Sequence, residues 1–218
     1  MTYDFTITGM TPLLMHADNV EWADVLDGWR KDTKNRNVTK RGDDRSPAWA
    51  WLGNLYHDGQ NITLPVENIQ KCLSQAGARI IMQGKKTFKE YAVSGLWIEP
   101  AAPVLLVGGK PVSFEPLDKL EGTTDFTEHL AVVRKMGFDL FMKRVRIGQS
   151  KNIRIRPKFD RWSVVGTVEA TEKELTRDVI DQIFTQAGKV GLGDWRPGCP
   201  TPGRFGMFHH TLKPSKGK

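Results

Sequence analysis

Four arginines alternate with aliphatic residues over residues 143–157. Arg144, Arg146, Arg154 and Arg156 interleave with Val145, Ile147, Ile153 and Ile155. A guanidinium stays charged and presents a planar fork of N–H donors, which suits the paired oxygens of a phosphate. The period of two predicts a hairpin turning at 148–152, with all four arginines on one face. A ribbon of this kind, apolar on one side and cationic on the other, can lie along a phosphate backbone. The same spacing also fits an ordinary edge ribbon whose charges face water and block aggregation.

A second candidate lies at 191–208, GLGDWRPGCPTPGRFGMF, with five glycines and three prolines. Glycines let backbone amides approach a ligand, and successive turned amides make an anion-binding nest. On that reading Gly193, Arg196 and Arg204 hold phosphate while Trp195 stacks on a base. The plain alternative is a connector, with Gly191 capping the preceding helix and Trp195 closing the core. His16 by itself reads as a loop or surface histidine. His209 and His210 point to opposite faces of a strand, and His57 and His129 stand isolated, so no metal site is expected. The sequence lacks GxSxG, HExxH and Walker patterns. No cofactor is expected.

The charge distribution supports an anionic partner. The chain carries a net charge of +7. Ten Lys/Arg fall between 134 and 161, opposed by Asp139 and Asp160 alone. Arg134, Lys135, Lys143, Lys151 and Lys158 therefore join the four hairpin arginines as nucleic-acid-binding candidates. A weaker run at 30–45 holds seven basic and three acidic residues and reads as a mobile surface loop. Cys72 and Cys199 are far apart without a CxxC pattern, which argues against a disulfide framework and for the cytoplasm. No apolar run approaches the roughly 18–20 residues that span a bilayer. The N-terminus lacks a signal-peptide pattern. No membrane partner is expected.

The positioning elements follow from periodicity. Tyr3, Phe5 and Ile7 alternate with polar residues and predict a half-buried strand ending at Gly9, extended by 10–16 past a bulge near Pro12. Residues 19–30 fit a short amphipathic helix with Val20, Val25 and Trp29 near one face. Pro65 starts a clear helix whose stripe is Val66, Ile69, Cys72, Leu73, Ala76 and Ile80. Strands are expected at 91–99, at 103–107 and 111–114 joined through Gly108 and Gly109, and at 161–170; a helix then a strand fits 118–142. The best helix covers 171–190, with Thr171 and Glu174 at capping-box spacing and Leu175, Val179, Ile180, Ile183, Phe184 and Ala187 on its apolar face. A last strand is expected at 203–208. This order is that of an α+β, ferredoxin-like (RRM-like) antiparallel sheet with two helices. The expectation is one domain over 1–212, a Trp-rich, basic insertion at about 17–60, an insertion at about 118–158 holding the arginine hairpin, and a disordered tail at 213–218.

The GLG element after the second helix, then an arginine and GRFG, resembles the C-terminal glycine-rich signature of the RAMP superfamily. The matching residues are Gly191, Leu192, Gly193, Arg196, Gly203, Arg204, Phe205, Gly206 and Phe208. The opening FTITGMTPLLMH and the helix start LPVENIQKCL are similar to the corresponding parts of the crRNA-binding backbone subunits of CRISPR effector complexes. The resemblance covers the two ends and leaves most of 17–60 and 99–145 unaligned. It implies a subunit of antiviral defence that binds single-stranded RNA, or single-stranded DNA, without reading sequence, and that lines up along the strand with copies of itself and other effector subunits. One inserted hairpin would act as a thumb, the role open to 143–157. Some members are metal-independent ribonucleases with a histidine soon after the first strand, where this chain has His16; the resemblance implies His16 as the candidate general base, able near neutral pH to take a proton from a 2′-hydroxyl. Asp18 and Asp24 are similar in place to an aspartate by which some backbone subunits cleave RNA. A third class stays open: a protein-interaction subunit or inhibitor mimicking such proteins, with the seven tryptophans as its interface.

Overall fold

Apolar alternation at the N-terminus and two amphipathic helices build a mixed α+β structure in the computed structural model. It describes residues 1–215, apart from the side chain of residue 147. In chain order the elements begin with β1 (Thr2–Gly9), β2 (Leu13–Leu14), α1 (Val20–Lys31), α2 (Val66–Gly77), β3 (Ile81–Gln83), β4 (Lys86–Thr87), α3 (Lys89–Ser94), β5 (Leu96–Glu99), β6 (Leu106–Val107) and β7 (Lys110–Pro111). They continue with α4 (Glu115–Asp118), α5 (Phe126–Lys135), β8 (Asp139–Ile147), β9 (Ser150–Phe159), β10 (Trp162–Ala170), α6 (Arg177–Val190) and β11 (Phe208–Pro214). The described residues thus hold six helices and antiparallel sheets. They divide into two compact units.

The first unit comprises 1–13, 63–112 and the chain from Asp160 onward. β1 pairs antiparallel with β11 on one side and β10 on the other; β10 also pairs with β5 and with the β6–β7 hairpin. Tyr3, Phe5, Ile7, Val164 and Val168 are buried on one face of this sheet. The α2 stripe (Val66, Ile69, Cys72, Leu73, Ala76) and the α6 stripe (Ile180, Ile183, Phe184, Ala187) are buried in the same unit. Phe5 and Phe184 meet at 5.6 Å between ring centroids. Burying each such side chain contributes roughly 1.5–3 kcal/mol.

Three local expectations are corrected here. Residues 91–94 are helical in α3 rather than strand, because Ala92 is fully buried where α3 runs against α2 at Gly77. A Cβ at Gly77 would sit 2.8 Å from the Phe88 carbonyl, a contact only glycine permits. The cap of α6 is Thr176, which accepts from the Val179 amide, while the Thr171 hydroxyl donates to Gly95 instead. The last strand begins at Phe208, and Lys213 and Pro214 are paired in it with Asp4 and Tyr3. The expected disordered tail is therefore partly strand; 216–218 lie outside the described residues.

The second unit comprises 14–62 and 113–159. The two expected insertions thus fall within one unit of their own. A long β8–β9 ribbon is its spine, with sheet order β2-β9-β8, so β2 does not prolong β1. Trp51, Val133, Phe138, Leu140, Ile155 and Phe159 are buried in it, and Phe138 and Phe159 stack at 4.8 Å. Helix α1 presents Trp22, Leu26 and Trp29 inward, at i, i+4 and i+7. Trp22 Nε1 donates to the Ala50 carbonyl at 3.2 Å, and Trp49 meets Trp22 and Trp29 edge-on. Val20 and Val25, expected on that face, are exposed. The run at 30–45 is not a loose loop. Ser46 Oγ donates to the Val38 carbonyl and accepts from the Lys40 amide, and the Ile153 amide donates to Gly42 O at 2.8 Å.

His129 is not isolated. The buried Trp51 indole N–H donates to its Nδ1 at 3.2 Å, so Nε2 carries the proton and donates to the Thr123 carbonyl at 3.0 Å. Burial holds the His129 pKa below the ordinary 6.5. His57, stacked flat on Phe114 at 3.7 Å, is shifted the same way by burial. The unfolded chain therefore takes up these protons first as pH falls. The stability contribution is full above pH 6.5 and is lost progressively below it. Replacing His129 by Gln retains an acceptor for Trp51 and removes one titration. Thermal unfolding at about pH 7.5 and about pH 5 should show a smaller acid loss in His129→Gln than in the wild type. Equal losses would refute this role.

Candidate nucleic-acid interface

The ribbon register decides where its charges point. β8 and β9 join through a two-residue turn, with Ile147 opposite Ser150, Arg146 opposite Lys151, Arg144 opposite Ile153, Lys143 opposite Arg154 and Phe141 opposite Arg156. Directly opposed residues share a face. Arg144 and Arg146 therefore lie on one face and Arg154 and Arg156 on the other, which corrects the expectation of four arginines on one face. A turn of two residues, rather than the expected five, sets this parity: even-numbered residues of β8 oppose odd-numbered residues of β9.

The outcome differs along the ribbon. At its base, Leu140, Ile155, Pro157 and Phe159 are buried on one face. Toward the turn, Lys143, Arg144, Arg146 and Lys151 are exposed, so both faces are cationic there. Arg146 donates to the Gly148 carbonyl at 3.2 Å and to Gln149 Oε1 at 2.9 Å, both neutral acceptors. Two cross-strand pairs, Lys143 with Arg154 and Arg146 with Lys151, oppose like charges. Such pairs destabilise a ribbon by a few tenths of a kcal/mol to about 1 kcal/mol each.

The remaining ribbon candidates take part in local structure. Lys158 lies opposite Asp139, and Arg134 Nε meets Asp139 Oδ1 at 3.3 Å. Arg134 and Lys135 end α5, where cations interact favourably with the helix dipole. Arg154 Nη1 pairs with Asp44 Oδ1 at 2.8 Å; Arg156 Nη1 stands 3.8 Å from Asp44 Oδ2, which accepts from the Ile155 amide at 3.2 Å. His16, Arg30, Asp44, Asn54, Arg154 and Arg156 line a cavity of about 310 Å³. His16 is exposed there, and its carbonyl accepts from the Tyr56 hydroxyl at 3.0 Å. Asp44 and Asn54 carried no signal in the sequence, because about a hundred residues separate them from their β9 partners. Arg30 was visible only as a member of the 30–45 run.

Gly193, Trp195, Arg196 and Arg204 belong to the first unit. Gly191 caps α6, with φ 79° and its amide donating to Ala187 O at 2.8 Å. Many of the loop's amides are already engaged, most of them within it. Leu192 donates to Gly206 O, Gly198 to Val190 O, Cys199 and Gly203 to Arg196 O, Phe205 to Trp195 O and Gly206 to Pro12 O. Arg196 Nη1 donates to the Gly193 carbonyl at 2.8 Å and to Cys199 Sγ at 3.4 Å. Trp195 is half-buried with a left-handed φ of 47°, uncommon for a residue other than glycine, and its amide donates to Asp194 Oδ1. Arg204 is exposed. Cys72 is buried beside this turn, with its thiol donating to Ala187 O and Gly191 O, and burial pushes its pKa up to about 12. Such a thiol is inert.

The sheet face opposite the helices in this unit carries Asp4, Glu99 and Glu169 with Trp97 and Lys213 exposed. Among the described residues no group of three His, Cys, Asp or Glu is arranged to hold a metal ion. No described helix is long and apolar enough to cross a membrane. Compared with known proteins, the chain matches no family model and no curated protein.

Two substitutions separate charge anchoring from turn geometry. Asp44→Asn should lower the unfolding free energy by roughly 1.5–3 kcal/mol, because the largely buried Asp44 carboxylate accepts charge-assisted hydrogen bonds from Arg154 at 2.8 Å and from the Ile155 amide at 3.2 Å. Gly206→Ala should destabilise by roughly 2–5 kcal/mol, since φ is 68° and a Cβ would overlap the Leu192 carbonyl. Denaturant unfolding measures both, and an unchanged midpoint in either variant would refute the corresponding role.

Proposed function

We propose that the protein binds single-stranded nucleic acid, with RNA the first candidate, through the cationic end of the β8–β9 ribbon and without reading sequence. The observation that carries this is the exposed set Lys143, Arg144, Arg146 and Lys151, arranged on both faces of one ribbon and including a directly opposed like-charge pair. A polyanion relieves that repulsion, and release of its condensed counterions supplies affinity independent of base identity. The acidic residues on the open face of the first sheet favour the ribbon over that face as the contact surface. The resemblance to RAMP backbone subunits points the same way. Further support comes from the strand order β11-β1-β10-β5, with α2 following β1 and α6 joining β10 to β11, the order of a ferredoxin-like fold. In this reading several copies assemble along one strand, as the resemblance implies.

One observation favours a second reading, a metal-independent ribonuclease: His16 shares its cavity with three arginines. Cleavage products that form without metal and vanish in His16→Ala would support it; intact RNA after prolonged incubation would exclude it.

For strand binding, the triple variant Arg144→Glu, Arg146→Glu, Lys151→Glu should weaken binding to labelled poly(U) by about tenfold or more while thermal unfolding stays unchanged. Between about 50 and 200 mM salt, the log–log slope of its affinity should be shallower by about 0.7 per lost phosphate contact. Wild-type affinity in the folded variant would overturn the assignment.

A further inference from the structure

We infer that Trp29 is a base-stacking platform for the bound strand, with Lys40 holding the phosphate beside it. The inference rests on the strand-binding reading and gives it a second contact area, separate from the ribbon end. Trp29 is half-buried on α1 and lines two cavities of the second unit. One has Val38, Lys40, Pro47 and Ala48 among its walls; the other has Val25, Trp49 and Glu121. Trp29 meets Trp49 at 6.3 Å between ring centroids, with the planes at 82°. An edge-on contact covers at most one face of a ring, so Trp49 leaves the other face of Trp29 uncovered. Val38, on the wall of the first cavity, is 57% exposed. An aromatic face beside exposed apolar surface suits a nucleobase, because every base has a π-face and stacks whatever its identity.

The charges around the first cavity are not equivalent. Arg45 is engaged by Asp43, with Nε donating to Oδ1 at 2.9 Å and Nη2 to Oδ2 at 2.7 Å. That pair is neutral and leaves Lys40 as the surplus charge of the lining. The Lys40 backbone is fixed: its amide donates to Ser46 Oγ at 3.0 Å, and its carbonyl accepts from the Asp43 amide at 3.2 Å. Its side chain is exposed. One ammonium matches one backbone phosphate. Glu121 belongs to the other cavity, so the Lys40 side is where an anionic strand is favoured. The same segment is fastened to the ribbon. Asp43 bridges Ile153 in parallel, and the Ile153 amide donates to Gly42 O at 2.8 Å. Ile153 is two residues along β9 from Lys151. One short segment thus touches the ribbon beside its cationic end and walls the Trp29 cavity with Lys40. This continuity with the ribbon, together with the surplus ammonium, selects a nucleic-acid strand as the occupant.

Fluorescence polarisation with labelled oligouridine, and with an abasic ribose-phosphate strand of the same length, separates base from phosphate contacts. The wild type should bind oligouridine about fivefold or more tighter than the abasic strand. Trp29→Ala should bind the two strands alike with an unchanged salt slope, because it loses no phosphate contact. Lys40→Gln, at an exposed position, should keep the base preference and flatten the log–log slope by about 0.7. Trp29 also packs on Trp49, so Trp29→Phe serves where Trp29→Ala does not fold. It keeps a ring in place and should retain most of the base preference, while losing most of the quenching of tryptophan emission that oligouridine causes in the wild type. Undiminished quenching in Trp29→Phe, a base preference surviving in folded Trp29→Ala, or a wild-type salt slope in Lys40→Gln would each overturn the inference. The two readings fail separately. Equal wild-type affinity for both strands, beside weakened binding in the Arg144, Arg146, Lys151 triple variant, overturns the Trp29 assignment alone and leaves the cavity to a protein segment. Absence of binding to either strand overturns both.

Discussion

The Asp44 carboxylate accepts from Arg154 and from the Ile155 amide, with Arg156 behind it. A guanidinium as buried as that of Arg156 is stable only beside a counter-charge and hydrogen-bond acceptors, because desolvation of an unpaired ion costs several kcal/mol. This requirement ties segment 42–44 to β9. The tie is extended by hydrogen bonds between the Ile153 amide and Gly42, and between the Asp44 amide and Ile153. A polar, charge-rich stretch thereby becomes the wall of a cavity instead of a solvated loop. Arg154 and Arg156 are also kept from being merely two more surface cations, and their distribution differs in kind from that of Arg144 and Arg146.

The ribbon shows how parity sorts charge. Since a strand alternates faces at every residue, a change of one residue in turn length exchanges the faces of a whole strand. With the observed turn, the base of one face is apolar and buried while the cations near the turn project to both sides. The like-charge oppositions near the turn are tolerated because the ribbon base is secured by Leu140, Ile155 and Phe159. Stability is thus concentrated at one end and positive potential at the other, an arrangement suited to a polyanion.

The glycine-rich turn follows a different logic. Its glycines allow backbone to meet backbone: Gly203 against the Trp195 carbonyl and Gly206 against that of Leu192. Its amides largely serve the turn itself. The connector reading is compatible with such a turn, since a glycine-rich motif need not be a ligand cradle.

Much of the first unit was legible in the sequence because its signals are local. Alternation in 3–9, the stripes on α2 and α6, and Gly108–Gly109 in the β6–β7 hairpin each report a buried face or a turn within a few residues. The capping-box spacing at Thr171 misled because Thr176 lay equally well placed, and tertiary contact with Gly95 chose between them. Composition by itself also determined that positive charge is concentrated between 134 and 161. Only the tertiary structure decided which of those charges are exposed, which are paired with Asp44, and that His16 and Arg30 join them around one cavity. The physical reason is that burial and ion pairing depend on residues about a hundred positions away, brought together by strand register, whereas periodicity records only each residue's immediate neighbours.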